Sequence, residues 1–173
     1  MQRERLEEMN KDKYYTFNNY MNENDLSATE EDYIEMIYRL CQSNDHQTRV
    51  MDIARVLHVK PPSVTKMVKK LKDLNIVDYK RYGCIRLTEG GIKTGKFLVH
   101  RHNAVKSFLT LLDVQGDLHE DTEKIEHTIS ENTLKRIEKL VYFFQSKPEV
   151  LNELISIKDF DVSKKTNLIS NFD

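Results

Sequence analysis

Cysteine is scarce in this chain: Cys41 and Cys84 are the only two among 173 residues, far apart and in no C-x-x-C pair. That argues against a disulfide scaffold and a structural zinc, and it suits a reducing compartment. Long hydrophobic runs are missing as well. No apolar stretch approaches the roughly 20 residues a membrane-spanning helix needs, and the opening M-Q-R-E-R-L-E-E-M-N is charged where a secretory signal would be apolar. The expectation is a soluble, cytoplasmic protein with no membrane partner. An excess of charge of one sign is also absent. The charged fraction is 32% and the formal net charge is -1, so composition names no partner and a nucleic-acid signal has to be local. There is no internal repeat, and compositional bias is confined to the asparagine-rich patch N-N-Y-M-N-E-N-D. The length admits one sizeable core, or two small domains sharing one.

What is present is helical periodicity. Residues 1–26 lack the apolar spacing that packing requires and are read as an extension of unassigned role. Ser27-Ala28-Thr29-Glu30 then forms a capping-box pattern ahead of Ile34, Ile37 and Cys41 at helical spacing. A second helix follows with Val50, Ile53, Ala54 and Leu57, and after H-V-K-P-P a third with Val64, Val68 and Leu71 inward. The prolines suit its first turn. I-V-D-Y and C-I-R-L-T read as two short strands, so 27–90 has the order of a winged helix-turn-helix. From 91 to 160 the pattern is all helical, with Leu134, Ile137, Val141 and Phe144 on one face, and 161–173 is a polar tail. The fold class expected is mainly α: an N-terminal winged helix-turn-helix followed by an all-helical dimerisation domain.

Charge is segregated along this frame. Between Lys60 and Arg101 eleven Lys or Arg face three acids, a local net of +8 in a chain that is nearly neutral. With Val64, Val68 and Leu71 inward, the outer face of the third helix carries Pro62, Lys66 and Lys69, flanked by Ser63, Thr65 and Lys70. Such a helix suits the major groove of double-stranded operator DNA, with Lys80 and Arg81 of the wing along the backbone. No Arg, Asn or Gln stands on that face, so specificity is expected from lysine, hydroxyl and thymine-methyl contacts and from DNA shape. A solvated lysine-rich helix is the bland alternative; the basic hairpin behind it weighs against that.

A second constellation is acidic. In D-T-E-K-I-E-H-T-I-S, Glu123, Glu126 and His127 share one helical face. The first helix adds Asp32 and Glu35 at i, i+3, and His102 sits on the inward stripe Val99, His102, Val105, Leu109. Each has an ordinary explanation: an acid near a helix start, a solvated face, a hydrogen-bonded core histidine. Packed together, four carboxylates and two imidazoles would be strongly disfavoured without a cation. A divalent metal removes the objection.

E-D-Y-I-E-M-I-Y, D-I-A-R-V-L-H-V-K-P-P-S-V-T-K-M-V-K-K-L, L-T-E-G-G, L-V-H-R-H and E-K-I-E-H-T-I-S together resemble the diphtheria toxin repressor family, and within it the manganese transport regulators, from about Thr29 to the region of Phe144. The resemblance implies a DNA-binding winged helix, a helical dimer-forming segment, and metal ions between the two. It implies Asp32, Glu35, His102, Glu123, Glu126 and His127 as ligands, and two Mn(II) per subunit, with Fe(II), Zn(II), Cd(II) or Co(II) as substitutes. A sulfur-free donor set is independently suited to manganese. The expected function is repression of manganese uptake genes by a metal-loaded homodimer, with no catalysis and no small-molecule substrate. Alternatives are an iron or mixed iron/manganese repressor, a metal-independent winged-helix protein, and, from another class, a dimetal carboxylate enzyme. Residues 1–26 and His100, where the manganese regulators have tyrosine, depart from the pattern.

Overall fold

The computed structural model describes residues 26–43, 45–80 and 83–157. The extension up to residue 25, the polar tail and Arg81 lie outside them. Seven helices and two strands occur among the described residues: α1 (Ala28–Ser43), α2 (Val50–Val56), α3 (Pro61–Asp73), β1 (Val77–Tyr79), β2 (Ile85–Leu87), α4 (Glu89–Leu111), α5 (Leu118–Glu126), α6 (Glu131–Ser146) and α7 (Pro148–Ser156). The chain divides into two compact units, Met1–His102 and Asn103–Asp173, so the division falls inside α4.

In the first unit α1, α2 and α3 pack on one another and on the antiparallel hairpin β1–β2, registered Val77 to Leu87 and Tyr79 to Ile85. Thr48 bridges to Ile85 beside it. Ile34, Ile37, Ile53, Val64, Val68, Leu71 and Ile85 are fully buried there, each worth roughly 1.5–3 kcal/mol of transfer free energy. These are the apolar positions that periodicity selects, and helix, turn, helix and hairpin follow in the expected order. Cys41 packs among them, and burial pushes its thiol pKa up despite a backbone hydrogen bond with Leu87, so it behaves as a small apolar side chain.

Helix boundaries are set locally. Ser27 and Glu30 form the capping box: the Ser27 amide and hydroxyl donate to Glu30 Oε2 at 2.9 and 2.6 Å, and the Glu30 amide donates to Ser27 Oγ at 3.4 Å. Pro61 and Pro62 occupy the first turn of α3. α2, α3 and α4 stop without glycine, on His58, Asn75 and Asp113 at φ between 52 and 58°. Each closes with a six-to-one amide bond, from Val59 to Ala54, Ile76 to Leu71 and Val114 to Leu109.

Two glycines let α4 approach the rest of the first unit. A Cβ on Gly91 would stand 2.0 Å from the Ile76 carbonyl oxygen, and one on Gly95 would stand 2.6 Å from Tyr38 Cβ. Thr88 caps this start, its hydroxyl accepting from the Gly91 amide and donating to the Asn75 carbonyl. In the second unit α6 and α7 pack together. Leu134 is the buried residue of α6, while Leu140, Tyr142 and Phe143 are exposed.

Glu30 also has a long-range role. Its second oxygen meets Lys70 of α3 at 2.9 Å, with the glutamate 4% exposed and the lysine 61%. Burial raises the Glu30 pKa, but the Ser27 hydroxyl and amide together with Lys70 outweigh it, and the carboxyl titrates below its ordinary value. A depressed carboxylate stabilises the fold above its unfolded-state pKa, about 4.3 for Glu, and loses that contribution as pH falls through the lower folded value. Glu30→Gln is therefore expected to lower neutral-pH stability by about 1–3 kcal/mol, mostly through the Ser27 bonds. Urea titrations in a pH series should show the two proteins converging below pH about 4; a difference independent of pH would refute the assignment.

Candidate metal centre

The sequence-derived ligands fall into two groups, one in each unit. In the first, Asp32 and Glu35 stand one turn apart on α1 and His102 stands on α4. Donor atoms of Glu35 and His102 lie within 4.8 Å of each other. His102 is buried, and Asp32 and Glu35 are partly buried. The two helices are held together independently of any ion. Arg101, next to His102, forms a two-pronged pair with Glu31, next to Asp32: Nη2 to Oε2 at 2.7 Å and Nη1 to Oε1 at 3.3 Å. Their side chains are 6% and 10% exposed. Tyr38 against Gly95 forms a second point of contact, so the ligand-bearing faces are fixed between two attachments.

In the second unit Asp117 caps α5, its carboxylate accepting from the amides of His119 and Glu120. Glu123 and Glu126 follow on α5, and His127 closes it as the C-cap. Glu123 and His127 offer donor atoms within 4.8 Å. His127 Nε2 lies 3.7 Å from Glu126 Oε1, and Glu126 is almost wholly buried. A buried carboxylate beside an imidazole is an environment in which a cation is favoured. Oxygen and nitrogen donors alone make both groups hard sites, a good fit to a divalent ion such as manganese. His119 had no place among the sequence-derived ligands, yet its Nδ1 lies 3.4 Å from Glu123 Oε1. The signal was available, since His119 and Glu123 are four apart on one helix.

The basic surface belongs to the first unit. Pro62, Ser63, Lys66, Lys69 and Lys70 on α3 are exposed, as is Lys80 after β1. Thr65 is half-buried and its hydroxyl bonds back to the Pro61 carbonyl at 3.0 Å. Lys70 shares its charge with Glu30, and Lys72 donates to the Tyr79 carbonyl at 3.0 Å. Arg101, counted by position in the basic segment, is buried in its pair with Glu31 and adds nothing to the surface charge. Among the described residues, Lys66 and Lys69 are thus cations of the outer face of α3 not drawn into an ion pair with an acid.

Comparison with known proteins agrees with these two halves. Residues 25–85 match the family model described as iron dependent repressor, N-terminal DNA binding domain, and residues 88–154 match the iron dependent repressor, metal binding and dimerisation domain. A protein of Listeria innocua named HTH-type transcriptional regulator MntR is 42% identical over 135 residues, 78% of this chain and 92% of its own length. One of the same name from Bacillus pumilus is 43% identical over 129 residues, covering 74% and 89%. Among solved structures, the manganese regulator SloR matches with a TM-score of 0.57 at 30% identity over 66% of this chain; the match spans about half, 54%, of that longer protein. The Listeria and Bacillus relatives are named as transcriptional regulators, which sets aside the dimetal enzyme. No helix among the described residues is long and apolar enough to cross a membrane. With a DNA-binding half and a metal-binding, dimerisation half matched in order across most of its length, the chain belongs to the iron-dependent repressor family of transcriptional regulators.

Proposed function

We propose that this protein is a manganese-responsive repressor which binds operator DNA as a homodimer when Mn(II) is held by Asp32, Glu35 and His102 together with Glu123, Glu126 and His127, and so shuts off manganese uptake genes in the cytoplasm. The observation that carries this reading is the chemistry of the two ligand groups: four carboxylates and two imidazoles, with no sulfur, split between the DNA-reading unit and the unit bearing α5. The names of the relatives support it. Carboxylates bridge readily, so six side chains are enough for two ions per subunit.

A divalent ion held by these residues would supply the positive charge that neutralises their carboxylates. The chain supplies the rest. Because Arg101 and Glu31 already hold α1 against α4, Glu35 needs no metal to stay beside His102. Metal held by Glu123, Glu126 and His127 as well would narrow the orientations open to each reading head and favour the half-site spacing of a dimer. The exposed Leu140, Tyr142 and Phe143 of α6 offer apolar area for the second copy. Linkage requires that operator DNA raise metal affinity by the factor with which metal raises DNA affinity.

The test is an operator-shift assay on promoter DNA of manganese uptake genes, run with Mn(II), Fe(II), Zn(II) and chelator. Mn(II) should tighten binding by at least about tenfold, within the usual range of coupling energies, and Glu126→Gln should abolish the gain. Equal operator affinity in Mn(II) and in chelator would sink the proposal, and a response to Fe(II) alone would reassign the metal.

A further inference from the structure

Arg39 lies one turn beyond Glu35 on α1. Its Nε and one terminal nitrogen approach the same carboxylate oxygen, Glu35 Oε1, at 2.8 and 2.6 Å. Glu35 is 13% exposed and Arg39 39%, so water only partly screens the pair. The same glutamate places a donor oxygen within 4.8 Å of the His102 ring nitrogen. A cation thus already sits on a carboxylate whose position in the first-unit group suits it to hold metal.

We propose that Arg39 is the resident counter-ion of Glu35 and sets the metal affinity of the centre by opposing the incoming ion. A guanidinium stays charged at any physiological pH, so it cannot relieve the conflict by losing a proton. Nε donates to Oε1 and a terminal nitrogen stands against the same oxygen, so the chain's own cation already engages the carboxylate a metal would use. The remaining positive charge repels a dication a few ångströms away. Arg39 thereby raises the metal concentration at which the protein loads. This rests on the manganese-responsive reading above and adds a threshold-setting residue to it.

The experiment measures Mn(II) binding to chelator-stripped, full-length protein by the paramagnetic resonance signal of free Mn(II), together with thermal unfolding of the metal-free forms. Arg39→Met keeps the length of the stem and removes the charge. It should bind Mn(II) about five- to tenfold more tightly, the effect of one partly screened charge, and the gain should shrink at high salt. Arg39→Lys keeps the charge and should stay within about twofold of the wild type. Metal-free Arg39→Met should be no more stable than the wild type, which separates a gain in affinity from better folding. Weaker binding by Arg39→Met would make Arg39 an orienting partner of Glu35, and unchanged binding would make it a spectator; either overturns the proposal. A wild-type protein that binds no Mn(II) would instead overturn the manganese reading beneath it.

Discussion

Arg101→Met is expected to lower the unfolding free energy of the metal-free protein by about 3–5 kcal/mol, the cost of leaving a buried carboxylate without its cation. Glu31 and Arg101 are 70 residues apart in the chain, both nearly excluded from water, and joined by two N–H to oxygen contacts. Removing the guanidinium takes both of these charged contacts away from the buried Glu31 carboxylate. Removing both charges leaves no carboxylate there: Glu31→Leu with Arg101→Met should recover most of the loss, because a buried pair gains little over well-packed apolar side chains of similar size. Urea unfolding of the two single variants and the double closes the cycle. A loss under 1 kcal/mol for Arg101→Met would show a solvated pair. Since Asp32 and His102 flank this pair, the single variant should also weaken Mn(II) binding in the folded protein.

Lys66→Ala combined with Lys69→Ala should reduce operator affinity on the order of a hundredfold at moderate salt while leaving stability within about 0.5 kcal/mol, as befits exposed side chains away from caps and core. If both lysines meet phosphates, the dependence of log affinity on log salt should flatten by about 1.8, roughly 0.9 per neutralised phosphate. The loss should then be uniform across DNA sequences; a loss confined to the preferred operator would place one of them on a base edge. Lys70→Ala is the internal comparison. Its ammonium is shared with buried Glu30, so its removal should flatten the slope less. An unchanged slope in the double variant would move the DNA-reading surface off α3.

Features that depend on neighbours within one helical turn were legible from the residues. The capping box of Ser27 and Glu30, the inward stripe of α3 and the prolines of its first turn all appear where local spacing puts them. The glycine-free ends of α2, α3 and α4 were not, since His58, Asn75 and Asp113 take a positive φ because flanking packing and the six-to-one bonds repay it. Charge was legible as a total and misleading in detail. Lys70 and Arg101 belong to a basic segment by position, yet Glu30 and Glu31 draw one into a partly exposed pair and the other into the interior. His119 beside Glu123 and Arg39 on Glu35 are both i, i+4 pairs that helical spacing makes legible.

The order of residues alone determined the helices, the hairpin, the inward faces and a sulfur-free set of donors, because each follows from periodicities of two or 3.6 residues and from side-chain chemistry. Which acids face a cation distant along the chain was decided only in three dimensions. Pairs such as Glu31 with Arg101 join residues far apart along the backbone, and their strength comes from the loss of water around them, a quantity that exists only once the helices have packed.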